Sequence, residues 1–489
     1  MSSEWPVVRF DEIFEITSSK RVKRADYVEQ GVPFFRSKEI IEKYHGNEIS
    51  TELFITDEHF QGIKAKFGVP ITGDILLTSV GTLGIPYQVK KSDKFYFKDG
   101  NLTWFRNFSD NAVPRFIYYW LASTIGKRKL DEITIGSTQK ALTIVALKSI
   151  ALKLPSKKIQ NKIVIILDSL NNQIFNNRQI NQTLESMAQA IFQSWFVDFD
   201  PVKAKIAARE QWQTLSDGER REWLNEMLNK QAFLKTCLSE LTANGEQSAS
   251  EILYLNIAAM TAISSRDETS LADMPVEEFA QLYKTASLFP ERLVESELGE
   301  IPEGWEVTKV ESILERIKVK SRYKKDEVIP YGKTPVYEQG ADILLGFHDG
   351  EPSIIASIEK PAFIFGDHTC ITHLACHSFD ISQNVIPLRG ACRASIWTYY
   401  AIRELQKFQE YRRHWSELIV KDICLPNKKI TDNFSIFLSK LILKKEQMVT
   451  ENLDLTLMRD TLLPKLLTGE LDISALTELA DIEPEVMDV

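Results

Sequence analysis

The chain has 489 residues, 44% of them hydrophobic and 26% charged, with a formal net charge of −9. That is the composition of a water-soluble protein with apolar material for about three domains. It argues against a membrane channel, since runs such as residues 163–167 are too short to span a bilayer, and against a disulfide scaffold, since five scattered cysteines suit a reducing compartment. Met1-Ser2-Ser3-Glu4-Trp5 has neither the basic lead nor the apolar core of a signal peptide, so the cytoplasm is the expected location.

The acidity is local. Residues 1–157 carry 23 Lys and Arg against 18 Asp and Glu, residues 201–300 carry 10 against 17, and residues 470–489 carry 0 against 7. The negative charge therefore sits in a connector and a tail, and the rest of the chain is slightly basic, so whole-chain charge does not exclude a nucleic-acid partner.

In chain order, residues 1–155 read as an α+β domain. Apolar runs alternate with turn chemistry: Gly31-Val32-Pro33, Gly73-Asp74 leading into Ile75-Leu76-Leu77, then Gly81-Thr82-Leu83-Gly84. Amphipathic spacing predicts one helix over 114–130. Residues 156–200 predict a long helix whose seam, stepped by four and three, carries Ile163, Leu167, Leu170, Ile174, Asn181, Leu184 and Ile191. Residues 201–300 form an acidic, helix-rich connector with continuous helical spacing over 210–241. Residues 301–427 repeat the α+β texture, with strands expected at 353–358 and 362–365 and a helix at 396–408. Residues 428–468 form a second long helix with Leu438, Leu441, Asn452, Leu455 and Leu462 on its seam, and 469–489 are the acidic tail.

The plan is stated twice, about 270 residues apart. Leu154-Pro155-Ser156-Lys157-Lys158-Ile159 returns as Leu425-Pro426-Asn427-Lys428-Lys429-Ile430, and Glu4-Trp5-Pro6-Val7 is echoed by Gly304-Trp305-Glu306-Val307. Two seams of equal length most simply pack on each other. The expected architecture is two similar globular domains separated by two long helices in an antiparallel coiled coil with a pseudo-two-fold axis. Asn181 and Asn452 take the same seam step, and a buried polar pair there would fix register.

Catalytic motifs are sparse. Gly332-Lys333-Thr334 resembles the end of a phosphate loop, but position 327 is Glu where that loop needs Gly. No Gly-x-Gly-x-x-Gly opens a helix after a strand, and no Asn/Asp-Pro-Pro-Tyr/Phe run is present. Five of the ten residues from His368 to His377 are potential zinc ligands. Their alternation favours a buried strand, with Cys370 and Cys376 on the face of Thr372 and Leu374, and no metal is expected.

Several segments, in this order, carry a family resemblance. They are Gly73-Asp74-Ile75-Leu76-Leu77 with Val80-Gly81-Thr82-Leu83-Gly84, then Gly136-Ser137-Thr138-Gln139-Lys140 followed by Leu152-Lys153-Leu154-Pro155. Ala190-Ile191-Phe192-Gln193-Ser194-Trp195-Phe196-Val197-Asp198-Phe199-Asp200-Pro201 follows, then Gly299-Glu300-Ile301-Pro302-Glu303-Gly304-Trp305, and last Leu463-Pro464-Lys465-Leu466-Leu467-Thr468-Gly469-Glu470-Leu471. The chain resembles the specificity subunit of type I restriction-modification enzymes. The resemblance implies two target recognition domains, each reading half of a split, asymmetric DNA sequence. It implies paired helices that space them and dock two modification subunits, and separate motor-nuclease subunits. S-adenosylmethionine, ATP and Mg would be held by those partners, and this chain would bind no cofactor and perform no catalysis. Two alternatives stay open: a self-contained methyltransferase or restriction enzyme, and a coiled-coil scaffold with two protein-binding modules.

Expected DNA contacts are the basic cluster Lys20, Arg21, Lys23 and Arg24, the glycine turn Gly81, Thr82 and Gly84, and the polar run Ser137, Thr138, Gln139 and Lys140. Lys318, Lys320, Arg322, Lys324 and Lys325 form the equivalent cluster of the second domain, which shows no clear counterpart of the polar run.

Overall fold

The computed structural model describes residues 5–46, 49–136, 140–243, 248–340, 342–410, 412–471 and 473. The chain divides into two compact units, one made of the stretches up to Gln179 and from Val449 on, the other running from Ile180 to Met448. The division falls inside both long helices, Lys157–Phe196 and Lys428–Thr468.

The first unit carries a four-stranded antiparallel sheet in the order Glu15–Thr17, Leu102–Arg106, Ile75–Thr78, Pro86–Gln88. A second sheet runs Tyr27–Val28, Phe54–Ile55, Val32–Phe35, Tyr96–Phe97, its last pair parallel. Strand Val7–Arg9 pairs with Ala151–Lys153, which leads directly into the first long helix. The helix expected over 114–130 is two helices, Pro114–Ala122 and Thr124–Glu132. Ser123 is extended between them, and its Oγ accepts from the Gly126 amide at 3.1 Å. A serine that can cap a new helix ends the old one. Gly126 is required at the join, because a Cβ there would lie 2.1 Å from the Trp120 carbonyl oxygen.

The second unit repeats the plan. Its four-stranded sheet runs Leu314–Arg316, Val385–Gly390, Ala362–Gly366, Thr372–Ala375. Leu344–His348, Thr334–Tyr337 and Asp380–Ile381 form the second sheet, again with a parallel pair. Glu306–Lys309 pairs with Asp422–Leu425 ahead of the second long helix. Residues 353–358 are not a strand; only Ile354 pairs, with Phe379, and the alternation there serves a loop that buries Ile354 and Ala356. The helix expected over 396–408 is Ser395–Arg403.

Within each unit the long helices run antiparallel. In the first, Ile163, Val164 and Leu167 share a core with Leu466 and Leu467, and Gln173 donates to Glu451 at 3.3 Å. In the second, Trp195 and Phe192 meet Phe434 edge-on, with ring centroids 5.6 and 5.9 Å apart. As one chain number rises the other falls, which is the antiparallel seam expected from the heptads. Ile163, Leu167, Ile174 and Leu438 are buried, whereas Leu170, Asn181, Leu184, Ile191, Leu441, Asn452, Leu455 and Leu462 are half-buried. Asn181 and Asn452 each hold a covered Oδ1 without a hydrogen-bond partner.

Residues 201–300 fold inside the second unit. Leu253, Ile257, Met260 and Phe279 join the core that contains Trp195 and Trp305. The continuous helix expected over 210–241 breaks at Ser216, which forms a capping box with Glu219 (Ser216 amide to Glu219 Oε2, 2.8 Å). It breaks again at Gln231, between Asp217–Lys230 and Ala232–Ala243. Lys205 is buried here; its ammonium donates to the Phe289 carbonyl at 2.7 Å, and burial holds its pKa down at about 8.

Candidate nucleic-acid interface

In the first unit, loops from four parts of the sequence converge on the turn before strand Leu102–Arg106. The Ser79 amide donates to the Asn101 carbonyl at 2.8 Å, and Ser37 Oγ donates to the same oxygen at 3.4 Å. Ser18 Oγ donates to Leu102 at 3.4 Å, and the Lys20 amide donates to the Tyr96 hydroxyl at 2.7 Å. The Leu142 amide reaches the Ser79 carbonyl at 3.0 Å, and Ala141 bridges both Val80 and Ile135. One edge of the domain thus gathers the Lys20 loop, the Gly81 turn and Lys140. Ser137, Thr138 and Gln139 lie outside the described residues.

Lys20, Arg21, Lys23 and Arg24 are exposed. The Lys20 ammonium lies 5.2 Å from the Phe67 ring centre. Lys23 opens a 3-10 turn, Arg24–Asp26, with its amide on Asp26 at 2.9 Å. Gly81 and Thr82 are exposed, and Gly81 and Gly84 have φ of +82° and +76°, a backbone region that disfavours other residues. A Cβ on Gly84 would also press on Leu130, at 3.1 Å. Side chains at this edge can donate to phosphate or base edges, and the Gly81 turn lets backbone come close.

The second unit rebuilds the same junction from different residues. The Asp367 amide donates to the Asn384 carbonyl at 3.0 Å, as Ser79 does to Asn101. The His414 amide donates to the Asp367 carbonyl at 2.8 Å, as Leu142 does to Ser79. The stretch ahead of His414 therefore stands where the polar run stands in the first unit. Lys407, Phe408, Arg412 and Arg413 are exposed there. His368 Nδ1 lies 3.1 Å from the Arg412 carbonyl, Arg412 pairs with Glu417 at 2.9 Å, and Arg413 lies 3.7 Å from Asp367. This edge was missed in the sequence, although counting back from the aligned Pro155 and Pro426 puts His414 within one residue of Leu142.

Lys324 repeats the Lys23 geometry, its amide on Glu327 at 2.7 Å ahead of the turn Lys325–Glu327. Lys318, Lys320, Lys324 and Lys325 are exposed. Arg322 departs from the expectation. Its guanidinium turns inward onto the Ser382 and Val385 carbonyls at 3.0 and 2.7 Å, and burial lowers its pKa. Beside it, Tyr323 stacks on His348 with centroids 4.4 Å apart, and His348 Nε2 lies 2.9 Å from the buried Asp380.

The His368–His377 segment is largely structural. Cys370 sits in a turn with φ of +59° rather than in strand Thr372–Ala375, so it does not share that strand's face. His373 has a covered Nε2 without a partner, and burial holds its pKa down at about 3. Among the described residues no three His, Cys, Asp or Glu side chains gather as a metal site would require. None of the described helices is long and apolar enough to cross a membrane.

Residues 2–186 match the family model described as type I restriction modification DNA specificity domain. The chain is 27% identical over 399 residues to the type I restriction enzyme HindI specificity subunit of Haemophilus influenzae, covering 74% of this chain and 78% of that one. It is also 27% identical over 204 residues to the MjaIX specificity subunit of Methanocaldococcus jannaschii, covering 41% and 45%. A crystal structure of the S subunit of a type I restriction-modification system from M. genitalium superposes with a TM-score of 0.46 at 14% identity, covering 94% and 96%. The sequence matches thus show residues 2–186 to be similar to the type I restriction modification DNA specificity domain, and about three quarters of the chain to be similar to a type I specificity subunit.

Proposed function

We propose that the chain is the DNA-recognition subunit of a type I restriction-modification complex, reading a bipartite asymmetric target with one domain for each half. The observation that carries this is the repeated junction: two domains place cationic loops on the same hydrogen-bonded frame but arm it with different side chains. A shared frame suits a shared ligand, and different side chains suit different base sequences. Lys20, Arg21, Lys23, Arg24 and Lys140 serve the first half-target, with exposed Gly81 and Thr82 allowing close approach and buried Gly84 shaping the turn from behind. Lys318, Lys320, Lys324, Lys325, Lys407, Arg412 and Arg413 serve the second. Ser137, Thr138 and Gln139 stay in the proposal on the strength of the resemblance, whereas Arg322 acts from behind as an anchor.

The long helices space the two readers and dock two modification subunits, with motor-nuclease subunits joining the assembly in the cytoplasm. Exposed apolar residues on them support docking: Met187, Ile436, Phe437 and Leu443 in the second unit, and Phe175, Val449, Leu457 and Met458 in the first. Ile436, Leu443 and Leu457 repeat at multiples of seven, so they share one face of their helix. Methyl transfer and DNA cleavage belong to the partners, which hold S-adenosylmethionine, ATP and Mg.

Mapping methylated adenines in cells that carry this chain with its modification partner tests the reading. One split motif with two dissimilar halves is the expected result, and methylation without a sequence motif overturns it. Methyl transfer by the purified chain alone would favour a self-contained enzyme. Inserting seven residues in phase into both helices adds about 10 Å and should lengthen the gap between the halves by about three base pairs.

A further inference from the structure

Each reading domain is tied to the long helices by a half-buried polar cluster. In the first unit, Arg115 Nε donates to Asp168 Oδ1 at 2.8 Å while its Nη1 donates to Gln88 at 3.3 Å. The Tyr119 hydroxyl also donates to Asp168, and Asn171 donates to that hydroxyl at 2.9 Å. Arg459 closes the chain on Asn171 at 3.1 Å. The path leads from the strand behind the Gly81 turn, through helix Pro114–Ala122, to both long helices.

In the second unit, Arg403 and Lys445 both donate to Glu185. The Tyr337 hydroxyl and His377 Nε2 lie 2.6 Å apart, and His377 Nδ1 lies 2.6 Å from Glu446. The path again joins the domain helix, here Ser395–Arg403, to both long helices. In both clusters the first long helix supplies an acid and the second a cation. The positions are not copies, however. Aligning the repeats puts Ser439 opposite Asp168 and Thr456 opposite Glu185, and helix alignment puts Ile396 opposite Arg115 and Ala122 opposite Arg403.

Two different solutions to one linkage mark a requirement that duplication alone did not supply. Stability is a poor candidate for that requirement, since exposed ion pairs add little and apolar side chains of similar size often replace buried ones without loss. Charged hydrogen bonds differ from apolar contacts in being directional, so they fix an angle.

We propose that Asp168 and Glu185 are positioning residues of two orientation joints, each holding its reading domain at one angle on the long helices and so fixing the gap accepted between the two half-targets. The proposal rests on the reading of the chain as a bipartite DNA-recognition subunit. In the complex with its modification partners, binding is measured on duplexes carrying the mapped half-targets with the native gap, one base pair fewer and one more. The full-length protein should prefer one gap by about tenfold or more. The pair Arg115→Leu with Asp168→Leu, which leaves neither charge orphaned, should bring the three gaps within about threefold while preference for each half-target stays unchanged. Arg459→Met, at the margin of the cluster, should relax the gap preference in the same direction by less. Glu185→Leu with Arg403→Leu and Lys445→Leu should do the same from the second unit. An unchanged gap preference in these variants overturns the joint, as does loss of half-target discrimination together with gap preference. A native complex that distinguishes no half-target at all would remove the recognition reading itself.

Discussion

The two sheet-bearing domains share a frame and differ in how they use charge. In the first, Lys20, Arg21, Lys23 and Arg24 stand free of the core and the Gly81 turn is open. In the second, Arg322 is drawn inward, Arg412 is paired with Glu417, and an exposed Phe408 stands among cations. The sheets and the junction at Ser79 or Asp367 are held by backbone hydrogen bonds, which any residue can make. Loop side chains are therefore free to diverge without loss of the fold.

The comparison can be broken most forcefully at the cores. Trp195 and Leu466 are equivalent positions in the repeat and both are almost fully buried. Trp195→Ala should cost the second unit about 3–5 kcal/mol, and Leu466→Ala should cost the first about 2–5 kcal/mol. Calorimetry should resolve the two losses as separate transitions if the units unfold independently, whereas one shared transition would show that they unfold together.

The units should also differ in acid. His373 is held below its ordinary pKa of 6.5, at about 3, chiefly by burial and then by Lys445. Its contribution is fully present above pH 6.5 and is lost as pH falls toward 3, because the unfolded chain takes up the proton first. By pH 5 the loss should reach about 2 kcal/mol, and His373→Phe should flatten that part of the stability profile. An unaltered pH profile in the variant would assign the acid sensitivity elsewhere.

At the edges proposed to face DNA, Phe408→Ala should shift base preference by about tenfold at one position of one half-target only, as expected for an aromatic side chain that touches a base. A uniform loss across all duplexes would instead make it a scaffold residue. The mildest change separates two kinds of cation. Lys23→Ala with Arg24→Ala should weaken binding evenly over sequences and reduce the salt slope by about two, whereas Arg322→Ala should lower thermal stability and leave that slope unchanged.

Much of this was legible in the sequence. The long helices follow from heptads because a seam leaves a periodic trace, and the domain repeat follows from Pro155 and Pro426. The break at Ser123 was harder, since amphipathic spacing runs through it and only the Ser-x-x-Gly cap interrupts the backbone. The alternation over 353–358 misled because a loop that buries two alternate residues, Ile354 and Ala356, can mimic a strand. Arg322 reads as one more surface cation, and its inward turn depends on carbonyls of Ser382 and Val385 some 60 residues away. Asp168 and Glu185 were illegible for the same reason: partners that meet across three helices leave no local pattern.

The division of the chain has a consequence for its birth on the ribosome. The second unit is one continuous stretch, whereas the first needs both the segment up to Gln179 and the segment from Val449 on. Leu466, Leu467 and Ile473 complete the core around Phe10 and Phe116, and Trp5 is close enough to Gly469 that a Cβ there would sit 3.0 Å from its ring. The domain translated first is thus the one finished last. Its half-built core must wait, at the mercy of chaperones and proteases, for about 270 residues to emerge and fold.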